Sequence, residues 1–281
     1  MTLVALCSLK GSPGVTTAAL ALAAGWPAGQ RPVLVECDPA GGDLLARFRL
    51  ALSPGLVTLT AAARRTQRST EIEEHTQRLP GGLPVVVGPA GAEQARAVLR
   101  QLANSRTDEL RRAANDPGAV VVADCGRADP DSPALKIVNA ADVLLLVARA
   151  HDDALSHVSA RWDEVSHWAP PVCLLLVGDG HATRAIEQAL SLDVLGRVPE
   201  DRRGAALLGG RSGPRRASAR TPLAGAMARI AATVAAPSFG GKAIRGLPTR
   251  HAQAGAGAGP GVRLMAAAVR NAPAVPSGVQ R

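Results

Sequence analysis

Apolar runs and helical stretches alternate along this chain. The runs cover residues 2–9, 32–36, 83–87, 119–124, 142–147, 172–177 and 194–198, and each reads as a strand of a buried sheet. Helical stretches fall between and after them, at 16–24, 93–104, 107–114, 153–167, 183–190 and 222–235. Strand followed by helix, repeated, implies βαβ units and a mostly parallel sheet flanked by helices, which is an α/β fold. Asp152 or Asp153 reads as the N-cap of the helix at 153–167, and Pro170 with Pro171 as its stop. The stretch 58–79, rich in Arg, Thr and Gln, reads either as helix or as a surface excursion. No internal repeat is visible.

Composition fits one such domain. A chain of 281 residues that is 47% hydrophobic buries a substantial core and needs no second globular unit. Aromatic residues make up only 2% and tyrosine is absent, so the core must be layered from Val, Leu and Ala. The organisation expected is one α/β domain over 1–235 and a Gly/Ala/Pro-rich basic tail over 236–281. The weak hydrophobic periodicity of that tail predicts disorder.

The first strand meets the first helix through Leu9-Lys10-Gly11-Ser12-Pro13-Gly14-Val15-Thr16-Thr17. A glycine-rich turn opening a helix is an anion cradle, because Gly11 and Gly14 let the backbone approach closely and the helix start supplies unpaired N–H groups. Thr16 offers a hydroxyl to Mg²⁺. Val15 stands where the P-loop pattern G-x-x-x-x-G-K-[ST] would place lysine. The nearest substitute cation is Lys10. Ser12 is no nucleophile elbow, since Lys10 sits two positions before it.

The segment 10–17 resembles the deviant Walker A motif, KGGVGKTT, of the ParA/MinD ATPases, which carry an extra lysine at the motif's start. Lys10 matches that first lysine; the second is replaced by Val15. Only three of the 32 basic residues are lysine, so its place here is informative. Two further segments are similar to the family's motifs. Pro32-Val-Leu-Val-Glu-Cys-Asp-Pro-Ala-Gly-Gly42 looks like the strand ending in D-x-D-P-x-G, with Glu36 and Asp38 in the acidic positions. Ala119-Val-Val-Val-Ala-Asp-Cys-Gly126 looks like the Walker B strand, ending on Asp124. A looser likeness lies at 195–203, the segment that faces the adenine in that family, although Gly178-Asp179 stands where an Asn and a basic residue usually follow the preceding strand.

The resemblance covers residue 1 to about 235 and implies a P-loop NTPase-like domain that binds ATP with Mg²⁺ and forms a nucleotide-dependent homodimer. It implies that Gly11, Ser12, Pro13, Gly14, Val15, Thr16 and Thr17 surround the phosphates and that Pro199 and Glu200 lie against the base. Thr16 and Asp124 would hold Mg²⁺. Asp38 would orient the attacking water, and Lys10 would stabilise transferred charge, reaching across the dimer. The implied function is that of a positioning protein, in chromosome or plasmid partitioning or in placement of a cell-envelope machine, with ATPase weakened or lost at Val15. The alternative is a non-hydrolysing scaffold that localises a Tad-type pilus or secretion apparatus.

Charge adds a second clue. Residues 197–281 hold fourteen Lys/Arg against Glu200 and Asp201, whereas 1–196 holds eighteen against twenty-one. The basic surplus therefore belongs to the C-terminal third, including the loop 209–220, and favours a polyanion: DNA or an acidic membrane face. The only tail segment with anchor character, 262–270, is short and poorly apolar.

Other groups read as structural. Cys7, Cys37, Cys125 and Cys173 lack C-x-x-C spacing and fall in or at the ends of strands, as small buried hydrophobes do. His151, Asp152, Asp153 and His157 gather at a helix start and read as exposed capping. The N-terminus lacks a basic leader and no apolar run reaches the ~20 residues of a membrane span, so a cytoplasmic protein with reduced thiols is expected.

Overall fold

The computed structural model describes residues 2–11, 13–65, 71–104, 108–168, 171–210, 221–237 and 239. The strands are β1 (Thr2–Ser8), β2 (Arg31–Glu36), β3 (Gln77–Arg78), β4 (Pro84–Val86), β5 (Ala119–Arg127), β6 (Val143–Arg149), β7 (Val172–Val177) and β8 (Val194–Val198). They form one sheet in the order β3-β4-β2-β5-β1-β6-β7-β8. Only the β3–β4 pair is antiparallel. The helices are α1 (Val15–Ala24), α2 (Leu44–Phe48), α3 (Leu56–Arg65), α4 (Ala92–Ala103), α5 (Glu109–Asn115), α6 (Leu135–Ala140), α7 (Asp152–Val165), α8 (Thr183–Leu190), α9 (Arg202–Leu208) and α10 (Pro222–Ala235), with a 3₁₀ turn at Ile72–His75.

The central strands are buried on both faces because each alternates between two cores. Leu3, Ala5 and Cys7 of β1, Val33 and Val35 of β2, and Val121, Ala123 and Cys125 of β5 face one core, with residues of α3 to α8. Val4 and Leu6, Leu34, and Val120 and Val122 face the other, with α1 and α10. This two-sided burial explains why the runs are continuously apolar. Helix α1 is built largely of alanine and leucine and is buried almost all round. Small residues let it lie close to α10: a Cβ added at Gly25 would come within 3.1 Å of Ala228 Cα.

The sheet order is what builds a site. The chain leaves β1 for β2 and later returns β5 into the space between them, so the ends of β2, β5 and β1 lie side by side. Glu36 is level with Asp124, and Leu6 with the same residue. One residue farther on, Cys37 and Cys125 follow on neighbouring strands, with Cys7 beside them on β1; all three are fully buried.

Several expectations need correction. β5 runs on to Arg127, and the apolar run at 83–87 is a three-residue strand paired with the unforeseen β3. The stretch 58–79 divides into most of α3, the 3₁₀ turn and β3, with residues 66–70 outside the described set. Helices α2, α6 and α9 were not legible in the pattern. The N-cap of α7 is His151, not an aspartate; Asp152 and Asp153 occupy its first turn, where the helix dipole favours them. The basic loop 209–220 and the tail lie outside the described residues except for Gly209, Gly210, Ala236, Pro237 and Phe239.

Candidate functional site

The loop after β1 ends on Gly14, whose left-handed backbone (φ 93°, ψ 36°) turns the chain into α1. Gly11 does not use that region, and a side chain on either glycine would meet open space. No side chain caps the start of α1, which leaves its first N–H groups for another acceptor. Lys10, Gly11 and Gly14 are exposed, Pro13 is buried, Thr16 and Thr17 are partly buried, and Ser12 lies outside the described residues. Val15 is 6% exposed and belongs to the α1–α10 core, so it is a packing residue at the position where a cation was sought.

Beneath the loop, the Thr16 hydroxyl hydrogen-bonds the carboxylate of Asp124. Asp124 also accepts from the Gly126 N–H at 3.2 Å. Burial pushes its acid up to about 6, against those two hydrogen bonds, and the nearby Asp38 and Asp43 push the same way as burial. Asp38 projects from the end of β2 toward β5. Its Oδ1 accepts from Ala40 N at 2.7 Å, and a Cβ on Gly126 would overlap its carboxylate. Gly126 has φ 56° and is thus the residue that lets the two strand ends close on each other. Burial raises Asp38 also, with Ala40 N–H and Arg127 opposing.

Glu36 has a different task from the one its motif position suggests. Its Oε1 accepts from Asp43 N (2.8 Å) and Leu44 N (2.9 Å), and its Oε2 accepts from Gly88 N at 3.0 Å. One buried carboxylate therefore fixes the start of α2 and the turn after β4. Burial still raises it to about 7 despite three backbone donors. A Cβ on Gly42 would stand 2.6 Å from Glu36 Oε2, so the glycine makes room for the clamp. Glu36 is thus spent on backbone donors of the β2–α2 and β4–α4 turns.

Pro199 and Glu200 are exposed beyond β8. Glu200 packs over Gly178, and its carboxylate pairs with Arg149 at 3.3 Å. Arg149 ends β6, so the pair joins the end of β6 to the segment after β8, regions that the motifs treated separately. Asp201 caps α9 by accepting from Gly204 N at 2.7 Å and also accepts from Leu223 N at the start of α10. Asp152 pairs with His181 Nε2 at 2.6 Å, tying the β6–α7 and β7–α8 turns together. This contact gives Asp152 a partner beyond its place in the first turn of α7.

An Mg²⁺ ion fits the oxygen donors present. Thr16 and the fully buried Asp124 offer two, and no group of three His, Cys, Asp or Glu suited to a metal occurs among the described residues. Mg²⁺ commonly keeps waters and takes the rest of its shell from ligand phosphates, so two protein oxygens suffice. A separate cavity of about 920 Å³, lined by Trp26, Phe48, Leu79 and Leu208, opens at the opposite end of the strands, beside Arg31 where β2 begins, and contains none of the site residues.

Neither family models nor curated proteins yield a match to this chain. Solved structures do. A ParA family ATPase from Chlorobium tepidum superposes with a TM-score of 0.63 at 18% identity, over 82% of this chain and 97% of that one. The septum site-determining protein MinD from Pyrococcus horikoshii, complexed with Mg-ADP, gives 0.61 at 17% identity, over 83% and 96%. Cobyrinic acid a,c-diamide synthase from Mycobacterium smegmatis, with bound ADP and magnesium, gives 0.59 at 17%, over 86% and 97%. The fold is therefore that of ParA- and MinD-type P-loop ATPases, a fold that also carries a biosynthetic enzyme.

Proposed function

We propose that this chain binds a nucleoside triphosphate with Mg²⁺ at the β1–α1 loop and acts as a ParA/MinD-like positioning protein, in DNA partitioning or placement of a cell-envelope machine, with weak ATPase. The observation that carries this reading is the Thr16–Asp124 hydrogen bond beneath the Gly14 turn, with Asp38 held beside it on Gly126. The loop's backbone donors orient the phosphates, Thr16 and Asp124 hold the Mg²⁺, which supplies charge neutralisation, and Asp38 aligns water. Lys10, exposed and in no ion pair among the described residues, is free to meet the phosphates of a second subunit.

One observation favours a second reading. Val15 is locked into the core, and a site that has turned its charge-bearing position into packing suits a non-hydrolysing scaffold, such as one localising a Tad-type pilus or secretion apparatus. No helix among the described residues is long and apolar enough to cross a membrane, so a membrane role would be peripheral. Thermal unfolding with ATP, ADP or GTP and Mg²⁺ tests the first reading. A ligand at 100 times its dissociation constant adds about 2.7 kcal/mol, and a smaller gain is expected here. No shift at millimolar nucleotide overturns it; a shift without measurable phosphate release selects the scaffold.

A further inference from the structure

A loop that cradles phosphates with backbone dipoles alone holds them loosely, and Val15 withholds the cation that would tighten the grip. The charge must come from another element. β6 is the other neighbour of β1, with Cys7 level with Leu146. β1 ends at Ser8 and β6 at Arg149, so the loop that begins at Leu9 and the end of β6 leave the same edge of the sheet. Val143, Leu145 and Val147 face the α1 core, so the alternation puts Arg149 on the loop's side of the sheet. Arg149 and Lys10 line one cleft with Gly11 and Pro13, closed off by Asp153 and Ala154 at the start of α7. Two cations against one carboxylate leave that cleft positive. Glu200, 3.3 Å from Arg149 Nη1, cancels the surplus. Both partners are about half exposed (48% and 54%), so the pair is a weak one that a ligand can open.

We propose that Arg149 supplies the phosphate-binding charge that Val15 lacks, engaging the nucleotide's polyphosphate after release from Glu200. The proposal rests on the nucleotide-binding reading above and adds to it the residue that makes the degenerate loop workable. A guanidinium suits the task, since its planar fork can pair with two phosphate oxygens and stays charged at any working pH. Glu200 then competes with the phosphates for the same fork, so the exposed end of the base-side segment regulates affinity at the phosphate side.

Titration of the full chain with ATP, ADP and adenosine in Mg²⁺ tests this. Arg149→Ala should weaken ATP and ADP about tenfold or more while adenosine binding stays unchanged, the loss expected of one charge-assisted contact. Arg149→Lys should recover part of it. Glu200→Gln should tighten ATP, a gain that loss of structure could not mimic. Unaltered ATP affinity in Arg149→Ala, or equal weakening of adenosine, overturns the proposal while leaving nucleotide binding in place. A parent protein that binds no nucleotide overturns the underlying reading instead. Should Arg149→Ala fail to fold, the Glu200→Gln and Arg149→Lys titrations decide the matter, and a Glu200→Gln affinity no tighter than the parent's refutes the role of Arg149.

Discussion

Asp124 carries a charge that its surroundings oppose. Burial raises it to about 6 and Glu36 to about 7, so the folded protein holds protons that the unfolded chain releases near pH 4. Native protein binds more protons than unfolded, so stability must fall as pH rises across this range. Denaturant unfolding between pH 4 and 8 should show that decline, and Asp124→Asn should flatten its share, up to about 3 kcal/mol. Mg²⁺ with nucleotide should restore stability chiefly at the alkaline end, where the carboxylate needs a counter-charge. Val15→Lys makes the complementary experiment. The new amine should tighten ATP about tenfold or more, and calorimetry would register it, at some cost in apo stability because the stem replaces packed apolar surface. Asp124 was legible because it closes an apolar run, and Thr16 and Asp38 because each holds a fixed place in a motif that follows such a run. Gly126, Arg149 and the clamp role of Glu36 were not, because they depend on which strands lie side by side, and no local pattern states that β5 returns between β1 and β2.

Among elements, the α1–α10 contact is the most exacting. Alanine and glycine bring the two helices together, and a Cβ at Gly25 would sit 3.0 Å from Ala21 O and 3.1 Å from Ala228 Cα. Gly25→Val should therefore cost about 1–3 kcal/mol through overpacking, seen as a lower denaturation midpoint with an unchanged slope. Since α1 also presents Thr16 and the loop, the same variant should weaken nucleotide binding. The seven strands read from the sequence are all present; six carry a buried run, and β8, with only Val198 buried, pairs along the edge on β7. Strand β3 was missed: Gln77 and Arg78 have no apolar pattern, and they become a strand only by pairing with β4. The short helices α2 and α9 follow from caps. Glu36 accepts from the first N–H groups of α2, and Asp201 serves α9, so tertiary placement decides what five to seven residues could not decide alone.

At the scale of the molecule, charge and chemistry sit in different parts of the chain. The acidic site lies on strands β2 and β5, whereas the basic surplus falls after residue 197. The polyanion role expected of that third from its charge predicts that removing residues 236–281 and neutralising Arg211, Arg215, Arg216 and Arg220 weakens DNA binding while far-UV circular dichroism stays the same. A titration at two salt concentrations checks it, since a phosphate contact must lose affinity as salt rises. The ribbon of Cys7, Cys37 and Cys125 carries a consequence of its own. All four cysteines are free and buried, and burial pushes the Cys7 thiol up to about 12. In a Cys173→Ser background a thiol-specific reagent reaches that ribbon only when the ends of β1, β2 and β5 open, so the labelling rate counts those openings. Ligand that draws β1, β2 and β5 together should slow the label, giving a kinetic readout of occupancy that needs neither turnover nor a tagged nucleotide.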